Sequence, residues 1–82
     1  MGLGYFEQAL VAEELSKASG ALGLSYVVHA HSTVDLLRVN GTAEQRAKYL
    51  PALVSGDKVG SLAMSEAGAG SDVMAMALRA DK

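Results

Sequence analysis

The residues best suited to chemistry lie in one short stretch, where an apolar run ends at a hydroxyl and a carboxylate and small residues follow. The stretch reads Leu62-Ala63-Met64-Ser65-Glu66-Ala67-Gly68-Ala69-Gly70-Ser71-Asp72. Gly68 and Gly70 permit backbone torsions and close approaches that a side chain would block, so the loop can lie flat against a ligand. It lacks the third glycine of a dinucleotide-binding fingerprint and the lysine of a P-loop. Taken alone, the stretch predicts either a ligand-contacting loop or a simple surface turn.

Two other pairs of residue types could take part in catalysis or bind metal. His29 and His31 are two apart, and on a helix such residues face away from each other, so they do not predict a metal site. Glu13 and Glu14 are adjacent and point about 100° apart on a helix, which leaves them poorly placed to share a proton. We interpret both pairs as structural, and the chain has no cysteine to form a thiolate site. No catalytic residue and no metal ligand is assigned.

Three helices are predicted before the loop, at about 5–18, 21–39 and 43–54. The first is amphipathic, with apolar residues at spacings of mostly three and four. The second should be the most buried, nearly all round, because residues 18–34 carry no charged side chain and its flanks are punctuated by glycine.

The third helix has clear signals at both ends. Thr42 and Gln45 form a capping-box pattern at its start, and Gly56 should terminate it. Pro51 lies inside it and predicts a kink or a break, because proline removes one backbone donor.

After these helices the pattern changes to that of extended chain. A strand is predicted from about 58 to 65 and a second from about 73 to 80, where larger apolar residues alternate with smaller ones. The predicted fold class is α+β: three helices followed by the first strands of a β-domain. The domain boundary is predicted between segments 1–56 and 57–82.

Composition excludes several function classes. The net charge of −2 and a pI near 5.5 provide no basic surface for nucleic acid or an anionic membrane. Polar residues interrupt the uncharged run at 18–34, so a buried helix is favoured over a membrane span, which needs about 20 predominantly apolar residues. Half of the 82 residues are hydrophobic, which predicts faces that cover other parts of a larger protein and marginal stability for the isolated chain.

The wider pattern is more specific than the loop. The chain resembles the acyl-CoA dehydrogenase family at Lys48-Tyr49-Leu50-Pro51, Ser55-Gly56-Asp57, Leu62-Ala63-Met64-Ser65-Glu66 and Gly68-Ala69-Gly70-Ser71-Asp72-Val73. Further segments resemble the branch acting on isovaleryl-CoA and other short branched-chain acyl-CoA thioesters: Met1-Gly2-Leu3-Gly4-Tyr5, Ala18-Ser19-Gly20 and Leu24-Ser25-Tyr26. The resemblance covers the whole chain but a small part of the family's length, and therefore implies a fragment: the later helices of an N-terminal helical domain and the start of a middle β-domain.

The resemblance implies a flavoprotein oxidoreductase that uses FAD to convert an acyl-CoA to its α,β-enoyl form, as in leucine catabolism. The implied cofactor-binding residues are Leu62, Ala63, Met64, Ser65, Gly70 and Ser71. Of these, Ser65 resembles the residue whose hydroxyl meets the isoalloxazine, and Ser71 resembles the serine that contacts the acyl-CoA substrate. The family's catalytic glutamate belongs to a later helix, so Glu66 is not assigned that role.

Partners and compartment are also implied by the resemblance. They are the remainder of the protein's own chain, a homotetramer of the full-length protein, and electron-transfer flavoprotein as acceptor. The implied location is the mitochondrial matrix in a eukaryote or the cytoplasm in a bacterium. The sequence departs from the family pattern at Ala67, where proline is usual. It departs again at Val27-Val28-His29-Ala30-His31, where Gly-Ala-His-Ser-Asn is usual, and the second departure bears on substrate preference.

Two alternatives remain open at this point. A non-catalytic helical interaction module would explain the helices and the apolar surplus, but not a glycine-rich, hydroxyl-bearing loop after a strand. A truncated pseudoenzyme is compatible with every residue named above.

Overall fold

The computed structural model describes residues 3–81, in which three helical rods precede an irregular segment. Helix α1 spans Tyr5–Ala18 and α4 spans Ala43–Ser55. Between them, α2 (Gly20–His29) continues through a π-helical segment (Ala30–Asp35) into α3 (Leu36–Asn40), and we call this continuous rod, residues 20–40, the central helix. All three predicted helices are therefore confirmed.

The central helix differs from its prediction in the π-helical segment. A π-helical turn contains an extra residue, which rotates the side chains that follow by about 100° relative to a regular helix. The segment ends at Leu36, whose N–H donates to the Thr33 carbonyl three residues back, as in a 3₁₀ turn. The hydrophobic spacing of the sequence does not predict this π-helical segment.

Helices α1 and α2 approach closely at a glycine. Gly23 is buried, and a Cβ built there would lie 2.9 Å from Ser16 Cβ and 3.1 Å from its Cα. The turn between the two helices is capped by Ser19, whose hydroxyl accepts a hydrogen bond from Leu22 N–H at 3.4 Å. Helix α4 packs against the π-helical segment and α3.

Helix α4 begins and ends as predicted. Thr42 N–H donates to Gln45 Oε1 at 2.9 Å, and Gln45 N–H donates to Thr42 Oγ1 at 3.2 Å, which completes the capping box. Gly56 follows the last turn with φ at 85°, in the left-handed region that glycine adopts without strain. Of the two outcomes predicted at Pro51, the break is wrong, because the helix continues beyond it through the buried Leu53 to Ser55, and the kink stays a prediction.

The predicted strands are wrong. Within residues 3–81 there is no β-strand: 58–65 is irregular, and 73–80 contains a single 3₁₀ turn, Val73–Ala75. The described backbone contains one isolated antiparallel bridge, between Glu66 and Ala69. Alternating side chains can predict which face would be buried, but a strand also requires a neighbouring strand for its hydrogen bonds. The α+β class is thus confirmed in its helical part, and the boundary at residue 56 stays a prediction.

Little of the apolar surface is covered. Among the described residues, only Leu53 and Ala69 are buried hydrophobic residues, and seventeen large hydrophobic side chains are exposed. The central helix is the most buried, since residues 26–35 are all half-buried. Burial all round is wrong, because Leu24 and Leu36 are 66% and 53% exposed. None of the helices in residues 3–81 combines the length and apolar character that a membrane crossing requires.

Candidate functional site

A tight turn forms the centre of the candidate site. Glu66 N–H donates to the Ala69 carbonyl at 2.9 Å, and Ala69 N–H donates to the Glu66 carbonyl at 3.1 Å. In an antiparallel bridge the residues flanking the bonded pair lie opposite each other, so Ser65 and Gly70 are neighbours across the turn. Ala69 is only 2% exposed and anchors the turn. The loop predicted from sequence is thus an ordered hairpin-like turn.

The predicted cofactor-binding residues are all exposed around this turn: Leu62, Ala63, Met64, Ser65, Gly70 and Ser71. The structure brings Ser65, Gly70 and Ser71 together. It does not bring Leu62 with them, because Leu62 lines a groove of about 490 Å³ with Leu37 and Leu53, between the central helix and α4. Within residues 3–81, the hydroxyls of Ser65 and Ser71 make no side-chain hydrogen bond, so both can meet a ligand.

The glycines of the turn provide one of the two properties expected of them. Neither Gly68 nor Gly70 has a positive φ, so the backbone does not demand glycine for torsional reasons. A Cβ at either position would find no atom within 4 Å. Both positions are therefore open to the close approach of a ligand.

Glu66 connects the turn to the chain that follows. Its Oε2 accepts a hydrogen bond from Ala77 N–H at 3.0 Å, and its Oε1 accepts one from Leu78 N–H at 3.0 Å. The carboxylate thus satisfies two backbone donors that the predicted second strand would have paired with a neighbour. Sequence reasoning missed this contact, because a glutamate beside a turn carries no signal of which distant amides it will meet.

His29 connects the helices to the start of the irregular segment. Gly60 N–H donates to His29 Nδ1 at 3.0 Å, so Nδ1 is an acceptor, and the proton on Nε2 is donated to the Leu53 carbonyl at 3.0 Å. Both bonds require the neutral ring. Gly60 was not singled out from the sequence, yet a Cβ there would overlap Thr33, so the close approach requires glycine. The predicted structural role of His29 is confirmed.

A polar cluster joins α1 to the central helix on another face. Tyr5 Oη donates to Asp35 Oδ2 at 2.7 Å, and Arg38 pairs with Asp35 Oδ1 at 2.7 Å. The hydrogen bond from Tyr5, followed by that from Arg38, holds the pKa of Asp35 below its usual value. The carboxylate in turn raises the pKa of Tyr5 and that of Arg38. His31 lies beside Tyr5, with ring centroids 5.6 Å apart.

This polar cluster borders a cavity of about 550 Å³ that Gln8 and Val34 also line. The charges of Asp35 and Arg38 compensate each other, which favours a structural role over ligand binding. Sequence reasoning missed the cluster, because Tyr5 and Asp35 are thirty residues apart. In residues 3–81, the His, Asp and Glu side chains form no group of three or more able to hold a metal ion.

Comparison with known proteins identifies the family. The family model described as the acyl-CoA dehydrogenase N-terminal domain matches residues 1–57. The chain is 56% identical to mitochondrial isovaleryl-CoA dehydrogenase of Pongo abelii, over 99% of this chain and 19% of that protein. It is 50% identical to mitochondrial 2-methylacyl-CoA dehydrogenase of Solanum tuberosum, over 100% of this chain and 20% of that protein.

A third relative is more distant. The chain is 48% identical to mitochondrial short/branched chain specific acyl-CoA dehydrogenase of Rattus norvegicus, over 89% of this chain and 17% of that protein. The chain therefore spans about a fifth of the length of the curated relatives that it matches. Because a family model covers more than half of the chain and its relatives are about half identical to it, the chain belongs to the acyl-CoA dehydrogenase family.

Proposed function

We propose that this chain is part of a flavin-dependent acyl-CoA dehydrogenase that acts on isovaleryl-CoA or another short branched-chain acyl-CoA. In this proposal the chain contributes one wall of the flavin and substrate site, formed by Leu62–Ser71, and supplies no catalytic base. The observation that carries the proposal is the similarity along 99% of the chain, the turn included, to a protein named isovaleryl-CoA dehydrogenase.

The turn fits a flavin by its shape and donor set. An isoalloxazine is flat and mostly apolar, with carbonyl and ring-nitrogen acceptors at one end. The flat, apolar ring is matched by the exposed Met64 side chain and the open face at Gly70. The acceptors are matched by the Ser65 hydroxyl, which can donate a hydrogen bond. FAD would supply the acceptor for a hydride from the acyl β-carbon.

The two serines have separate roles in this proposal. Ser65 donates a hydrogen bond toward the end of the flavin where negative charge develops, and a donor fixed in advance stabilises such charge at little reorganisation cost. Ser71 contacts the acyl-CoA and orients it. Because these residues flank one turn, they can align cofactor and substrate with each other. Met64 adds apolar surface that excludes water from the same wall.

The proposed partners and location follow from the family and the names of the relatives. We propose a homotetramer of the full-length protein, electron transfer to electron-transfer flavoprotein, and the mitochondrial matrix if the source is a eukaryote. The three relatives described above are named as mitochondrial proteins. In a bacterial source the corresponding location is the cytoplasm.

One observation favours the alternative of a non-catalytic helical module. The seventeen large hydrophobic residues exposed within residues 3–81 would serve a binding partner as well as they would serve further chain. The two functions place different requirements on the turn, because a helical module does not require free hydroxyls beside an open glycine face. A truncated pseudoenzyme would retain the turn and lack turnover.

The test uses the protein encoded by the complete reading frame. The purified protein should carry flavin absorbance, which isovaleryl-CoA should bleach under anaerobic conditions faster than straight-chain acyl-CoA does. Absence of flavin would refute the proposed cofactor. Flavin that no acyl-CoA bleaches would indicate a pseudoenzyme.

Variants of the two serines assign their roles. Ser65→Ala should weaken flavin retention or slow bleaching by about 1 to 3 kcal/mol, the cost of one lost hydrogen bond in a buried site. Ser71→Ala should act mainly on the acyl-CoA concentration required for bleaching. Ser61→Ala, which removes an exposed hydroxyl just before the site, is the matched control and should change neither quantity. Equal behaviour of all three variants would refute the assigned roles.

A further inference from the structure

Glu66 links two parts of the irregular segment through four hydrogen bonds. Its backbone N–H and carbonyl pair with Ala69, at 2.9 and 3.1 Å. Its carboxylate accepts from the N–H groups of Ala77 and Leu78, each at 3.0 Å. A single residue therefore closes both the small turn and the larger excursion from residue 66 to residue 78.

Little else in the described chain orders that excursion. It contains one 3₁₀ turn, Val73–Ala75, and short 3₁₀ turns have poorer hydrogen-bond geometry than α-helices. Met74 and Leu78 are 90% and 85% exposed, so packing contributes little at either position. Hydrogen bonds to an ionised acceptor are roughly twice as strong as neutral ones. The Glu66 carboxylate is thus the main contact that returns the chain to the turn.

We propose that Glu66 is a positioning residue for the dehydrogenase reaction, which sets the location of Ser71 relative to Ser65. This inference rests on the proposed function. By holding Ala77 and Leu78, Glu66 limits the paths open to the chain that leaves Ser71. The substrate contact and the flavin contact then stay in one fixed arrangement, which alignment of the two reactants requires.

The carboxylate also affects the electrostatics of the turn. Glu66 is adjacent to Ser65, so an unpaired negative charge there would oppose the negative charge that develops on the bound flavin. Two N–H donors offset part of that charge while the bonds are intact. Glu66→Gln keeps the length of the side chain, but its amide nitrogen cannot accept a hydrogen bond, so it retains one of the two contacts.

The experiment compares Glu66→Ala and Glu66→Gln with the unchanged protein encoded by the complete reading frame. Hydrogen exchange at the Ala77 and Leu78 amides measures the contact itself. The dissociation constant of FAD, and kcat and KM on FAD-saturated protein, measure the positioning. Glu13→Gln, which removes an exposed carboxylate of α1, is the matched control.

Glu66→Ala should lose protection at both amides and slow flavin reduction by about tenfold or more at FAD saturation, as expected for lost charge-assisted hydrogen bonds. Glu66→Gln should be intermediate, and Glu13→Gln should match the unchanged protein. If Glu66→Ala fails to fold, the amide exchange, FAD affinity and kinetics of Glu66→Gln test the inference instead.

Two results would overturn the inference. One is unchanged exchange at Ala77 and Leu78 in the variants. The other is a lower melting temperature with unchanged FAD affinity and kcat, which would indicate a merely structural role. If the unchanged protein binds no FAD, the proposed function fails and so does the role in catalysis, while the exchange data still show whether Glu66 orders the turn.

Discussion

The helices and the segment that follows them are stabilised in different ways. In the helices the backbone satisfies its own hydrogen bonds, and caps such as Thr42 complete the ends. In residues 57–81 no strand pairs with another, and two side chains distant in sequence hold the backbone instead: His29 at Gly60, and Glu66 at Ala77 and Leu78. Local interactions thus suffice for the first region, whereas individual distant contacts order the second. The candidate site lies in the second region.

The largest loss of stability is expected from a change at the contact between α1 and α2. Gly23→Val should destabilise the protein by about 3 kcal/mol, because added atoms would collide with Ser16 in a close helix contact. Urea denaturation measures the change. Gly20→Ala is the matched control, since a Cβ at Gly20 meets no atom within 4 Å, and it should be neutral or slightly stabilising. Equal effects of the two variants would show that α1 and α2 do not pack in this way.

A smaller loss of stability is expected for a variant that detaches residues 57–81 from the helices. His29→Phe keeps the ring but removes both hydrogen bonds, and it should cost about 2 kcal/mol because Gly60 N–H and the Leu53 carbonyl lose their partner. Hydrogen exchange should rise at Gly60 and remain low in α1. His31→Phe retains a ring beside Tyr5 and is the matched control. Increased exchange throughout the helices would contradict the difference between the regions.

The smallest expected effect is on the pH dependence of stability, through a contact between two helices. Since the folded-state pKa of Asp35 lies below its ordinary value of 3.8, its stabilisation is present above that pH and is lost as the pH falls through the folded-state pKa. Asp35→Asn should therefore flatten the loss of stability below about pH 4. Asp81→Asn, which alters an exposed carboxylate beyond the site, should not. An unchanged acid slope in Asp35→Asn would refute the Tyr5–Asp35 contact.

Part of the candidate site could be predicted from sequence. The resemblance to the family assigns Ser65 and Ser71 and remains untested for them, whereas the turn that carries them is present and is bridged between Glu66 and Ala69. Gly60 and the carboxylate of Glu66 were missed as contacts. Their partners, His29 and the amides of Ala77 and Leu78, lie 31, 11 and 12 residues away, beyond the reach of any local pattern.

The sequence by itself determined the three helices, the caps of α4 and the location of the turn. These features depend on interactions between residues at most four positions apart, which the order of amino acids encodes directly. Only the tertiary structure decided that the π-helical segment interrupts the central helix and that no strand forms in residues 57–81. It also decided that His29 and Glu66 hold the irregular segment. The physical reason is that a strand, and a side chain bonded to distant backbone, depend on which groups folding brings close, and spacing along the chain does not specify those groups.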